Sequence, residues 1–331
     1  MKKRFLLIAL IILFSIGCNR LAFATQPALT LTVAPTWTIN PSPTPFQPFD
    51  QTQDKPATVS PTFLPTDTFI PSPSATFIPT DTSVPSLTPT PEFVFQGPGE
   101  VTVPILLYHH IGYSTKDSNY YVSPEVFESQ MNLLYTLGYK TISVEQLVQA
   151  IQHGAQLPAK PILLTFDDGG ETVYTEALPI MQKYGFTGTA YIVYNYIGAG
   201  LFMDRDQIRE LHTAGWEIGS HSVNHIELPT HPSKQLDEIV NSRWRLESYL
   251  DVQIRSFAYP FGAYNEDSLY YVRYVGYIAA MGLGDESVQG RENLFYLYRQ
   301  SITADLPLDA FARLLPWQED LNNLPAITVV P

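Results

Sequence analysis

From residue 101 onward the chain alternates two kinds of hydrophobic pattern. Short, nearly continuous apolar runs occupy residues 101–108, 162–166, 188–194, 216–220, 256–259 and 278–281, with a briefer one at 141–143. Runs of this length read as buried strands. Between them lie longer stretches whose apolar residues recur every three or four positions, as on one helix face. Residues 124–138 are the clearest: Ser123 can cap the start, Phe127, Met131 and Leu134 share a face, and Gly138 ends the helix. The same spacing predicts helices over 143–151, 174–184, 205–214, 233–249, 268–275 and 308–315. Alternation this regular predicts parallel βα units and an α/β fold. About seven such units point to a distorted (β/α)7-type barrel, although an open parallel sheet shares the periodicity. In either architecture the functional site belongs at the C-terminal ends of the strands.

Before residue 100 this pattern is missing. Lys2, Lys3 and Arg4 precede an apolar run from Phe5 to Ile16, then Gly17 and Cys18. The run is short for a membrane span and suits the core of a signal peptide, so residues 1–20 are expected to be a targeting segment. Ser15-Ile-Gly-Cys18 resembles a lipoprotein cleavage site, with Ser15 where Leu is more usual; cleavage after Ala22-Phe-Ala24 is the alternative. The expected location is extracytoplasmic, membrane-anchored through a lipid on Cys18 or, failing that, secreted. Residues 21–99 are rich in Pro, Thr and Ser, carry almost no charge, and nearly repeat themselves at Pro65-Thr-Asp-Thr and Pro79-Thr-Asp-Thr. Such a segment buries too little apolar surface to offset its ordering entropy, and reads as a disordered linker. Its prolines stiffen it into a spacer of about 3 Å per residue.

The 331-residue chain carries a net charge of −13, which argues against nucleic acid as a partner. Cys18 is the single cysteine, so the region after the leader offers no disulfide. The oligomeric state leaves no trace in the sequence, and a monomer is assumed.

The chemistry-bearing residues cluster just after the predicted strands. Asp167 and Asp168 end the 162–166 run, where neighbouring side chains point in different directions, so one carboxylate can bind a metal while the other stays free. His221 and His225, four apart after the 216–220 run, can bring two imidazoles to one point. His109 ends the first run, and Pro260-Phe261-Gly262 forms a turn after another. Taken singly, Asp-Asp-Gly is often a solvated turn and His-x-x-x-His a pair of surface histidines. Their convergence on one end of one βα array is the stronger signal.

Thr165-Phe-Asp-Asp-Gly169, His221-Ser-Val-Asn-His225 and Phe257-Ala-Tyr-Pro-Phe-Gly262 resemble the motifs of the polysaccharide deacetylase family (carbohydrate esterase family 4, the NodB-homology domain). Ile105-Leu-Leu-Tyr-His-His-Ile111 resembles the subgroup of poly-N-acetylglucosamine deacetylases. The resemblance covers residues 100–331 and implies a metal-dependent hydrolase removing N-acetyl groups from an amino-sugar polysaccharide. By the same resemblance Asp168, His221 and His225 would hold a divalent metal, Zn²⁺ as the expected ion, with Co²⁺, Ni²⁺ and Fe²⁺ satisfying the same donors. It makes Asp167 the general base and His109 the acid that protonates the leaving amine. The backbone N–H of Phe261, with Tyr259 and Pro260 beside it, would face the oxyanion and substrate.

Three departures stand out. No histidine follows His231, which is why the acid moves to His109. Ala258 stands where the family's third motif carries an Arg, leaving Arg255 or Arg299 to orient Asp167. Gly170 replaces a common aromatic in the groove wall. The competing readings are an O-acetyl polysaccharide esterase at the same site, or a catalytically silent carbohydrate-binding domain.

Overall fold

The computed structural model describes residues 93–114 and 118–317. The expected targeting segment with Cys18, and the spacer as far as residue 92, lie outside them. So do residues 318–331.

Seven parallel strands form the centre: β1 (Ile105–Tyr108), β2 (Pro161–Phe166), β3 (Thr189–Ile192), β4 (Glu217–Ser220), β5 (Ser256–Ala258), β6 (Ala279–Met281) and β7 (Gln300–Ser301). The hydrogen-bonded order is β6-β5-β4-β3-β2-β1-β7. A parallel bridge between Met281 and Leu297, with Gly282 N–H bonded to Leu297 O and Gly284 N–H to Arg299 O, links the two ends of that order. The sheet therefore curls into the expected seven-stranded barrel, and the open-sheet alternative is set aside.

Both faces of the longer strands are buried, which is why those runs look continuously apolar. Leu106, Leu164, Ala190, Phe257 and Ala280 join an outer cluster with the helices. Their neighbours Ile105, Leu163, Tyr191, Ala258, Ala279 and Met281 form an inner one. The outer helices are α1 (Pro124–Thr136), α3 (Leu178–Lys183), α4 (Arg205–Thr213), α5 (Ser242–Leu250), α6 (Glu266–Tyr274) and α7 (Leu308–Arg313). The remaining helix, α2 (Val144–His153), sends Val144, Leu147, Val148 and Ile151 into the inner cluster. Glu217, at the start of β4, accepts from Val144 N–H at 2.7 Å and Glu145 N–H at 3.3 Å. That helix closes the N-terminal end of the barrel, its positive end fixed on a carboxylate.

Four expectations need correction. Order begins earlier than residue 100: Phe93–Gln96 is a strand paired antiparallel with Ala155–Pro158, so the spacer ends by residue 92. Its side chains are mostly exposed and its backbone pairing is the main tie, so no buried apolar run marks it in the sequence. The 101–108 run breaks at Pro104, which has no N–H for a ladder; Val101–Thr102 instead pairs with Val288–Gln289 outside the barrel. The 141–143 run contributes only Lys140–Thr141, alongside the start of β2, and the seventh barrel strand is Gln300–Ser301. Finally, the helix predicted over 233–249 is divided by a π-helical segment at Asp237–Asn241 before α5. A second π segment, Val173–Ala177, precedes α3. Each follows a loop that carries predicted site residues, and π segments concentrate at functional sites.

Candidate metal centre and catalytic cleft

The C-terminal ends of the strands surround a cavity of about 380 Å³ lined by His109, Asp167, Asp168, His221, His225, Tyr259, Phe261 and Arg299 among others. Four non-glycine residues of these loops, Asp168, Ser222, His225 and Phe261, have left-handed φ of 72°, 69°, 56° and 60°. L-residues adopt that region at a cost, which surrounding structure must overcome, and such costs collect at functional sites.

Asp167 is fixed first. Its N–H bonds Tyr108 O at 3.0 Å, continuing the pairing of β2 with β1. Its carboxylate is buried and receives both arms of Arg299: Nη1 to Oδ1 at 2.7 Å and Nη2 to Oδ2 at 2.8 Å. The remaining nitrogen, Arg299 Nε, donates to Gly282 O at 3.0 Å. Burial alone would raise the Asp167 pKa, but the Arg299 guanidinium and His221 outweigh it and hold the group at about 2. Arg299 thus takes the orienting place that Ala258 leaves empty. Arg255 does not: it pairs with Glu145 and Gln253 beside Glu217 and Ser256, at the N-terminal ends of β4 and β5.

Asp168, one residue on, turns away through its left-handed backbone. Its Oδ1 lies 3.6 Å from His221 Nε2 and 3.4 Å from His225 Nε2. One ligand atom from each of the three residues falls within 4.8 Å of the others. His221 Nδ1 lies 2.8 Å from Ala258 O, which fixes the N–H on Nδ1 and leaves Nε2 free as a donor to a cation. His225 N–H bonds Ser222 Oγ at 2.9 Å, closing the tight turn between the histidines.

A divalent cation fits this set on three grounds. Asp168 Oδ1 is buried without a hydrogen-bond partner. Burial first, and Asp167 second, raise the Asp168 pKa to about 7, a penalty a bound cation would remove. Burial lowers His221 to about 3, so its imidazole stays unprotonated and open to a metal. Two His nitrogens and one carboxylate admit several ions, and the identity of the metal is left open by the geometry.

His109 lines the same cavity. Burial, opposed by Asp167, lowers its pKa to about 4. Its ring meets the Tyr120 ring at 4.7 Å. His110 stacks on Tyr121 at 4.4 Å, and a Cβ on Gly170 would come within 2.4 Å of His110 Nδ1. The histidine fills the space that the small residue leaves. Tyr259 and Phe261 line the cavity, while Pro260 is buried within the turn between them. His153, His212 and His231 lie outside its lining.

Sequence reasoning missed Glu238. This buried carboxylate, on the π segment before α5, accepts from Val223 N–H at 3.0 Å, Asn224 N–H at 2.8 Å and Asn224 Nδ2 at 2.7 Å. It holds the loop between the two histidines from behind. A charged residue in the middle of an apolar helix face was its only signal.

Residues 154–280 match the family model for polysaccharide deacetylase. The match spans Asp167, Asp168, His221, His225 and the Tyr259–Phe261 turn, while His109 and Arg299 fall outside it. A poly-β-1,6-N-acetyl-D-glucosamine N-deacetylase of Staphylococcus aureus is 27% identical over 207 residues, covering 58% of this chain and 71% of that protein. Among solved structures, the Streptococcus pyogenes deacetylase PplD, in complex with acetate, superposes with a TM-score of 0.61 at 27% identity, over 65% of this chain and 98% of that one. IcaB from Ammonifex degensii shares the fold, with a TM-score of 0.56 at 23% identity over 66% and 97%.

Proposed function

Because the chain belongs to the polysaccharide deacetylase family and is a hydrolase acting on amide bonds, we propose that it removes N-acetyl groups from poly-N-acetylglucosamine or a related amino-sugar polymer, using a divalent metal. The observation that carries this reading is the convergence of Asp168, His221 and His225 beside an Asp167 that Arg299 keeps ionised. The name of the Staphylococcus aureus relative supports the choice of polymer.

Asp168, His221 and His225 would hold the cation, Zn²⁺ first among those the donors admit; when bound, it supplies Lewis acidity toward water and an acyl oxygen. Asp167 takes the proton of the attacking water. A carboxylate held at about 2 is a weak base, so it serves a water already acidified, and it stays charged at every working pH. Phe261 lines the cavity, and its backbone N–H is the donor we assign to the developing oxyanion. Expulsion of an amine requires a proton, because an amide anion is a very poor leaving group. We assign that proton to His109, which lines the same cavity. Its imidazole is neutral in the free cleft, so it must take up a proton during turnover, which the neighbouring Asp167 charge favours.

The basic residues 2–4, the apolar run before Cys18 and the Pro/Thr/Ser-rich spacer support an extracytoplasmic domain tethered by a lipid. Labelled palmitate incorporated into the wild type and not into Cys18→Ala is the expected result; equal labelling of both would overturn the anchor.

The purified chain, incubated with acetylated glucosamine oligomers and with an O-acetylated xylan, should release acetate mainly from the amide substrate. Release from the ester alone would replace the proposal with an esterase.

A further inference from the structure

Arg299 holds its partners through bonds that lie in the plane of its guanidinium: two to the Asp167 carboxylate and one, from Nε, to Gly282 O. Bonds in the plane leave the flat faces of the group without support. One face is covered by the Tyr191 ring, whose centroid lies 5.6 Å from the guanidinium carbon. At that distance a cation is attracted to an aromatic face, the more so where water is excluded.

Tyr191 is fully buried in β3, and a buried tyrosine in a barrel interior is often only packing. The way this ring is held sets it apart. Its hydroxyl donates to Ser256 Oγ at 3.0 Å, at the start of β5, so the side chain reaches past the strand between them. That strand is β4, and Gly219 stands directly beside Tyr191 in the ladder. A Cβ on Gly219 would come within 2.3 Å of the ring and 3.2 Å of Ser256 Oγ. Glycine at this position is what lets the ring cross β4. Burial raises the pKa of the Tyr191 hydroxyl well above its ordinary value, so it stays a donor and the tie to Ser256 persists.

Arg299 arrives from the opposite wall. It immediately precedes β7, and in the order β7-β1-β2-β3 that strand lies as far from β3 as a closed ring of seven allows. The guanidinium therefore crosses the barrel interior to meet a ring anchored on the far side.

We propose that Tyr191 is a positioning residue for the reaction, holding Arg299 at the height and tilt at which both arms grip Asp167, and so aiming that carboxylate at the attacking water. This rests on the deacetylase reading for the role of Asp167. Tyr191 lies outside the cavity lining, so it acts through Arg299 and not on the substrate. A misplaced base slows the chemical step without weakening substrate binding.

Acetate release from N-acetylglucosamine oligomers by the metal-loaded full chain tests this. Tyr191→Leu, which removes the aromatic face, should lower kcat by about tenfold, equivalent to about 1.4 kcal/mol, with KM within about twofold of wild type. Tyr191→Phe keeps the ring and loses the hydroxyl, and should bring kcat back to within about threefold of wild type. In an Arg299→Met background the leucine substitution should change kcat by less than about twofold, because the group it positions is gone. Urea unfolding of the metal-stripped wild type, both single variants and the double variant gives a readout that needs no activity. The two substitutions should couple by at least about fivefold in the unfolding equilibrium constant, equivalent to about 1 kcal/mol. If Tyr191→Leu does not fold, Tyr191→Met, whose unbranched chain adapts to the vacated space, takes its place in both measurements. Equal kcat losses in the two backgrounds, a loss as large in Tyr191→Phe, or additive unfolding energies would each overturn the inference. A wild type that releases no acetate would remove the deacetylase reading instead, and the unfolding cycle would still decide whether the ring holds Arg299.

Discussion

Replacing Arg299 by Met removes the one cation bonded to Asp167 among the described residues while keeping much of the side-chain volume. Arg299 is 1% exposed and Asp167 2%, so solvent compensates little for the charge left behind. Breaking a buried pair in this way costs about 3–5 kcal/mol, a large part of the stability of a domain. The pKa of Asp167 gives the sign. Held at about 2 against an ordinary 3.8, the group contributes about 2.4 kcal/mol at neutral pH, fully present above about 4 and lost as pH falls through about 2. Without Arg299, burial dominates and pushes the carboxyl above its ordinary value. The variant should then gain stability relative to wild type on mild acidification, the reverse of the wild-type trend for this group. Urea unfolding of the metal-stripped proteins at pH 7.5 and 5 would measure both effects, and kcat in the metal-loaded proteins should fall by at least about a hundredfold, the scale of losing a positioned base. Arg299→Lys, which keeps charge but not the two-armed geometry, should fall between. A loss of less than about 1 kcal/mol with kcat unchanged would refute the reasoning, since it would mean the pair is solvated and does not orient Asp167.

Three further outcomes follow from other parts of the site. Glu238→Ala should weaken zinc affinity about ten- to a hundredfold, measured by competition with a chelator, because the loop between His221 and His225 loses its three bonds; unchanged affinity would show the loop to be self-supporting. Gly170→Ala should displace the His110 ring and destabilise by about 1–3 kcal/mol, and His110→Ala in the same chain should recover most of that, as a double-mutant cycle of thermal unfolding would reveal; independent effects would contradict the contact. The metal-stripped protein should lose stability on acidification from about pH 6.5 to 4. Over that range the unfolded chain takes protons on His109 and His221 that the folded one, with pKa values of about 4 and 3, refuses; Asp168, at about 7, binds one proton in the folded state and offsets part of this. The net is at least one proton, since His110 and His225, also lowered by burial, add to it; that corresponds to at least about 1.4 kcal/mol per pH unit, and a flat or rising stability would reverse the assignment.

The parts of this fold that the sequence reveals are those where local pattern and burial coincide. Pro161–Phe166 is apolar on both faces because helices cover one and the barrel interior the other, so its strand and the two carboxylates after it are legible without coordinates. His221 and His225 are legible for the same reason, as they follow the next strand but one. Gln300–Ser301 is polar and two residues long, and only pairing with β1 makes it a strand, so the seventh position was missed. Arg299 sits immediately before it, which is why two arginines remained as candidates for Asp167 until contacts across more than a hundred residues placed one in the cleft and the other at the opposite end of the barrel. Glu238 was hidden by a π segment that turns a helix-face carboxylate inward. Phe93–Gln96 was missed because backbone bonds, not buried side chains, hold it.

Acetate released from N-acetylglucosamine oligomers by the purified chain, with zinc supplied, removed by chelator and restored, bears most directly on the cleft as a metal-dependent deacetylase. Release should stop on chelation, return with zinc, and be absent in Asp167→Asn while that variant still binds zinc. Release that persists after full chelation, or near-normal release by Asp167→Asn, would contradict the assignment of Asp168, His221 and His225 to the metal and of Asp167 to the proton.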